Sequence, residues 1–295
     1  MKYQLELLRL VSVILITFRH TRHSIDSGIV WVILEIIPTF GTFILSIISG
    51  YLYWEISRNR KNILKNKTNT LLIPYLIANS LVVLLALILY YFFDYNILNR
   101  LEINYKLITE GILSLNSPPI NPPTYFIRNL FVIFVFIAFI KERNFKLLLL
   151  IIPLAMFGEL FVRYEIPIMF LVGILISHFD EFISKYKKYF IAFFIISSVV
   201  LGFVAFDYFR VVSPVLIFLL VYKLNIRFWN VGGFTYILHL YHAPVMVAVY
   251  PIICIFVVND YLTVPLQIFL GFLFSYTLYL MTRKINFLKI LSGGR

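Results

Sequence analysis

The residues best suited to chemistry in this chain are an arginine and a histidine set into an apolar run. Residues 5–23 read LELLRLVSVILITFRHTRH, with Arg9 and His20 eleven positions apart. In a single helix, eleven steps of about 100° return to within roughly 20° of three full turns. Both side chains would then leave one face, roughly 16 Å apart along the axis. A guanidinium binds phosphate oxygens in a bidentate fork. An imidazole gives or takes a proton near neutral pH. Ionisable groups at membrane depth cost free energy and mark functional sites. The plain alternative is that Arg9 snorkels to one interface and His20 marks the other.

Three more patterns carry chemistry-bearing residues. Residues 43–54, FILSIISGYLYW, hold Ser49, Gly50 and Tyr51. Ser49 and Gly50 read as a small-residue crossing that lets helices approach, not as a nucleophile. Residues 121–130, NPPTYFIRNL, hold Tyr125 and Arg128. Arg128 either polarises a carbonyl or holds an anion, or it ends a helix at the interface. Residues 236–245, YILHLYHAPV, hold His239, Tyr241 and His242. His242 either meets a substrate or hydrogen-bonds across helices; His239 is the lesser candidate. His20, His23 and Asp26 come nearest to a metal-ligand spacing, but they straddle an expected helix end, and no metal is expected. The single cysteine, Cys254, forms no intrachain disulfide and reads as a small packed hydrophobe.

The elements that must position these residues are membrane helices. Of 295 residues, 61% are hydrophobic and 14% charged, more apolar surface than a soluble chain of this length can bury. Runs such as residues 71–93 reach the roughly 20 residues that a bilayer needs. We expect an all-α, polytopic helical bundle in one domain over residues 1–295, with no cleavable leader. Ten apolar segments are legible: 5–18, 40–54, 71–93, 126–140, 147–161, 166–176, 189–206, 211–222, 234–258 and 262–281. With the N-terminus inside and alternating crossings, 19 of the 26 Lys and Arg fall inside. These include Lys2, Lys141, Arg143, Lys223 and Arg295. The positive-inside rule thus predicts N-in, C-in with about ten spans. The sixth and eighth segments are short and must tilt or sit within the bundle. Residues 55–70 read as a basic cytoplasmic loop. Residues 94–124 read as a long outer loop whose prolines stiffen an extended backbone. Residues 31–38 read as an interfacial stretch. The net charge of +12 lies in short loops and forms no basic face, so nucleic acid is excluded as a partner.

Taken together, the motifs resemble acyltransferase family 3, membrane proteins that O-acylate cell-surface carbohydrates. The likeness rests on Arg9 and His20 with ten residues between them, and on SGY at residues 49–51. It continues with a basic stretch closing on a proline–aromatic pair in KTNTLLIPY, residues 67–75, and with PTYFIRNL at residues 123–130. It ends with Tyr241-His242-Ala243-Pro244 late in the chain. The chain departs from the family at Thr70, Tyr125 and Asn129, where an arginine, a tryptophan and an aspartate are common.

The resemblance implies a cytoplasmic acyl-CoA, most simply acetyl-CoA, as donor substrate, with no permanently bound cofactor. It implies an envelope glycan as acceptor, either surface polysaccharide or lipid-linked, in a bacterial cytoplasmic membrane. Arg9, His20 and Arg128 become the expected catalytic set. Arg9, Arg58, Arg60, Lys61 and Lys67 are expected at the donor phosphates. His242, Tyr241, Tyr125, Ser49, Gly50 and Tyr51 are expected to support the acceptor side. His20 acts either as general base or as an acyl carrier. The competing reading is a transporter or flippase for a lipid-linked glycan. It would be favoured by inverted repeats with paired broken helices, and none is visible.

Overall fold

The computed structural model describes residues 3–94, 96, 98, 100–140, 145–222 and 224–294, and among these every regular element is helical. Five of the cations counted for topology, Lys2, Lys141, Arg143, Lys223 and Arg295, lie outside the described residues. Among the described residues six helices are long and apolar enough to cross a membrane. They are α2 (Gly28–Ser57), α3 (Ile63–Phe93), α4 (Pro122–Phe139), α7 (Lys187–Val204), α9 (Gly232–Phe256) and α10 (Asp260–Lys284). Shorter helices complete the bundle: α1 (Tyr3–Phe18), α5 (Lys146–Phe157), α6 (Glu165–His178) and α8 (Phe206–Val221). Each of the ten apolar segments contains a helix. Only some of those helices reach spanning length, because their apolar runs are broken by loops and turns.

The core is built around α1, α2 and α6. Helix α1 buries Leu5, Leu8, Val13 and Ile16 against α2. Helix α6, with 14 residues, rises only about 21 Å, and it sits inside the bundle: Ile166, Phe170 and Ile174 are fully buried. The close approach of α2 to α6 depends on two glycines. A Cβ on Gly50 would lie 1.8 Å from the Phe170 carbonyl oxygen, and one on Gly173 would lie 2.1 Å from that of Ile47. Any side chain larger than hydrogen would push the helices apart, as expected for tight helix crossings in lipid. Helices α9 and α10 pack along their length, and α7 pairs with α8 at the periphery. Little of α7 is buried, with Ser198 its one buried residue among those described.

Three expected features take a different form. The helix through residues 5–23 stops at Phe18, where the His20 and Thr21 amides turn back to the Thr17 and Phe18 carbonyls at 3.1 and 3.2 Å. The basic stretch 55–70 is mostly helical. Its two ends continue α2 and α3 through π-helical turns at Tyr53–Ser57 and Thr68–Leu72, with only residues 58–62 turning between them. Apolar faces on both sides extend the helices past the charged residues. The proline-rich entry to α4 is a tight 3-10 turn, Pro122–Thr124, not an extended strut, since Pro at a first helical position fits that backbone.

The long connection 94–124 folds back into the bundle. Ser114, Asn121 and Thr124 are at most 1% exposed. Glu110 fastens the loop. It accepts hydrogen bonds from the amides of Asn116 and Ser117 at 3.0 and 2.8 Å, and from both of their side chains at 3.0 Å. Burial alone would raise the Glu110 carboxyl, but these hydrogen bonds outweigh it and hold the group below its ordinary range.

Candidate active site

Two helices carry proline where a neighbouring helix supplies the missing donor. Pro244 in α9 has no N–H for the Leu240 carbonyl, and the Asn121 side chain donates to that oxygen at 2.7 Å. Pro74 in α3 likewise leaves the Thr70 carbonyl, to which the Tyr236 hydroxyl donates at 2.9 Å. Proline removes a helical hydrogen bond, and a freed carbonyl in an apolar bundle must find another partner. The two substitutes tie the loop before α4 and the start of α3 to the same stretch of α9. Asn79 completes the network. Its Nδ2 donates to the Thr124 hydroxyl at 3.0 Å, and its Oδ1 accepts the Asn121 amide at 3.2 Å.

Beside this network lies a cavity of about 750 Å³. Helix α9 lines it with Gly232, Thr235, Tyr236 and His239, a stripe at helical spacing. Helix α4 contributes Phe126, Leu130 and Phe134, again one face; α1 contributes Arg9 and Val13. Lys67, Asn230 and Arg283 stand together at one end, which we call the basic end. Lys67 sits 4.1 Å over the Phe134 ring. Arg9 is not a lone cation. It pairs with Glu6 one turn back, and Glu6 also accepts the Val231 amide at 3.2 Å. Glu6, Asn230 and Arg283 were missed in the sequence reading. Glu6 was findable, since positions three apart on a helix face each other.

The other end of the cavity stops at His239, which is 3% exposed. The Pro123 carbonyl approaches its ring, yet neither ring nitrogen closes a hydrogen bond. Phe126 packs edge-on against it at 5.6 Å. His242 follows one turn on, with ring centroids 6.4 Å apart, and the His20 ring lies 5.3 Å from that of His242. Nδ1 of His242 is 2.6 Å from the Leu238 carbonyl oxygen. An oxygen of that kind only accepts, so Nδ1 holds the proton and the lone pair sits on Nε2, which has no partner. Three imidazoles thus follow one another from the blind end of a cation-rimmed cavity toward the far end of the bundle. A cation site at one end of a passage and basic nitrogens at the other suit transfer of a group carried on an anionic donor.

A family model described as an acyltransferase domain, acyltransferase family 3, matches residues 2–283. The chain belongs to acyltransferase family 3. No curated protein and no solved structure matches it.

In this acyltransferase the expected site residues fall into three groups. Arg9, Lys67 and Ser49 line the cavity, and His20 and His242 stand beyond its blind end. The hydroxyl of Ser49 is occupied by the Leu45 carbonyl at 2.8 Å. Although α1 ends early, His20 keeps nearly the expected separation from Arg9. Arg9 lies level with Gly232, since a Cβ there would be 3.1 Å from its Nη1. His20 is level with His242, ten residues further along α9, or about 15 Å by helix rise. His20 is held there by the segment that follows it. The Arg22 amide donates to Gln267 Oε1 and the Gln267 amide donates back to the Arg22 carbonyl, both at 2.8 Å.

The second group is not at the cavity. Arg128 is two positions from Phe126, so it leaves the opposite face of α4, and it donates to the Leu160 carbonyl. The structure therefore does not bring it together with Arg9 and His20. Asn129 binds the same loop, at the Arg163 carbonyl and the Val162 amide. Tyr125 sits 5.8 Å from the Arg163 guanidinium. Arg58 covers the Trp54 ring at 4.6 Å, while Arg60 and Lys61 are exposed on the turn between α2 and α3. The third group is packing. Gly50 makes the α2–α6 crossing, Tyr51 packs at an angle against Phe218 and edge-on against Tyr222, and Tyr241 is buried beside His242. His23 faces Glu35 at 3.5 Å and Asp26 is exposed. Among the described residues no group of three His, Cys, Asp or Glu could hold a metal ion.

Proposed function

We propose that this acyltransferase moves an acyl group, most simply acetyl, from cytoplasmic acyl-CoA to a hydroxyl of a bacterial envelope glycan, either surface polysaccharide or its lipid-linked precursor. The observation that carries the reading is the cavity rimmed by Arg9, Lys67 and Arg283 and closed by His239. The chain is oriented N-in and C-in in the cytoplasmic membrane, so the basic end opens inward, as the positive-inside rule favours. The CoA phosphates pair with the guanidinium groups at the mouth. The pantetheine arm runs inward past Val13 and Phe126. A separation of about 15 Å between Arg9 and His20 suits such an arm. On this reading the thioester reaches the imidazole cluster, and His20 takes the proton of the acceptor hydroxyl as general base.

Labelled acetyl-CoA supplied to membranes containing this chain tests the reading. Wild type incorporates label into glycan, and His20→Ala abolishes it while the protein stays in the membrane. Normal labelling by His20→Ala would remove His20 from the site. Rapid-quench trapping without acceptor adds a second reading. Label on the protein would make His20 an acyl carrier instead of a base.

A further inference from the structure

The group that closes the cavity is His239, not His20, and neither the family resemblance nor the spacing argument gave it a role. We propose that His239 is a catalytic residue that donates a hydrogen bond to the carbonyl oxygen of the acyl thioester as negative charge develops there. The inference rests on the donor reading above. Three observations carry it. His239 lines the cavity wall that also holds Arg9, so whatever fills the cavity to its end meets this ring. It is 3% exposed, and neither nitrogen closes a full hydrogen bond, the Pro123 carbonyl standing beside one of them and leaving the other free. A buried polar group left without a partner is costly, and in a cavity wall it is open to a ligand atom. Its neighbour His242 is different: its Nδ1 proton is committed to Leu238.

A neutral imidazole carries one N–H and one lone pair. It can stabilise an oxyanion with the N–H without giving up the proton, in a water-poor site where such a bond is strong. The acceptor oxygen bonds to the acyl carbon and its proton goes to His20. The tetrahedral intermediate holds its negative oxygen against the His239 N–H. The carbon–sulfur bond then breaks, CoA leaves as thiolate toward the cavity mouth, where solvent protonates it, and His20 releases the acceptor's proton to solvent and returns to the neutral imidazole. His239 ends the cycle with its own proton. The edge of Phe126 against the ring keeps the imidazole in one orientation.

The test uses the full chain in inside-out membrane vesicles with labelled acetyl-CoA, plus equilibrium binding of acetyl-CoA to the purified protein. His239→Ala should lower kcat for glycan labelling by about 10²–10³-fold, the usual loss of one oxyanion donor, with acetyl-CoA affinity within about threefold of wild type. His239→Gln, which keeps an N–H donor, should fall between the two. Labelling by His239→Ala within about threefold of wild type would overturn the assignment. So would a loss of acetyl-CoA affinity by both variants that matches their loss of rate, since that marks a structural role. If wild type neither binds acetyl-CoA nor labels glycan, the donor reading itself fails and this inference falls with it.

Discussion

At the residue scale, the chemistry depends on side chains whose positions are set by hydrogen bonds to backbone. His20 lies beyond the end of α1 and owes its place to the two bonds between Gln267 and Arg22. Gln267 is fully buried in α10, where an unpaired amide would be costly. Gln267→Leu removes both bonds while keeping the bulk apolar. Kinetics of the variant should show kcat reduced by about 10²-fold, the cost of misplacing a reacting group by about 1 Å. Binding of acetyl-CoA, in the proposed donor cavity that Gln267 does not line, should be unchanged. A variant with wild-type kcat would show that the segment holds its shape without the glutamine. The Asn121–Leu240 and Tyr236–Thr70 bonds have the same logic. Each replaces a donor that proline removed, so proline and partner are to be read as one device.

At the element scale, the connection 94–124 acts as a structural element, although no long regular helix runs through it. Glu110 gathers four hydrogen bonds from Asn116 and Ser117 and titrates below its ordinary range. The charged groups in electrostatic reach include Arg128, which favours the same ionised form. A carboxyl with a lowered folded-state value adds stability above its unfolded value. That contribution fades as pH falls through the folded value. Glu110→Gln should therefore unfold at a lower temperature than wild type at pH 7, and the gap should narrow at a pH well below the ordinary carboxyl range. Thermal unfolding at both pH values checks this. A gap of equal size at both would show that the bonds matter by shape and not by charge. The α2–α6 crossing belongs to the same scale, because Gly50 and Gly173 are each needed by the facing backbone.

At the scale of the whole molecule, the arrangement has two unlike ends. Lys67, Asn230 and Arg283 line the cavity toward one, and Ser24 reaches Asp260 at the other, its amide donating to Oδ2 at 2.8 Å. With the basic end inward, a cysteine replacing exposed Lys65 in a Cys254→Ser background should react with an impermeant maleimide only after cells are opened. A cysteine replacing Asn259 should react in intact cells. The opposite pattern would invert the orientation and place the cavity mouth outside. Six helices reach spanning length among the described residues. The shorter α1, α6 and α8 complete the bundle by packing on longer neighbours, as lipid-shielded helices can.

Composition and hydropathy determined the membrane class, because no other medium suits a chain that is 61% hydrophobic. The spacing of Arg9 and His20, with the motifs that follow, was enough to point to the family, since each motif is local along the chain. What only the tertiary structure decided was which polar groups share a space. Helix α1 stops at Phe18, and a glutamine 245 positions from Arg22 ties down the segment that carries His20. The family resemblance gave His239 no counterpart and ranked it below His242, and packing put it in the cavity wall. The resemblance grouped Arg128 with the catalytic residues, and the face of α4 turned it to the Leu160 carbonyl. Local sequence sets which face of a helix a residue occupies. What that face meets depends on how helices far apart in the chain cross, and for this protein glycine contacts and proline-freed carbonyls decide that.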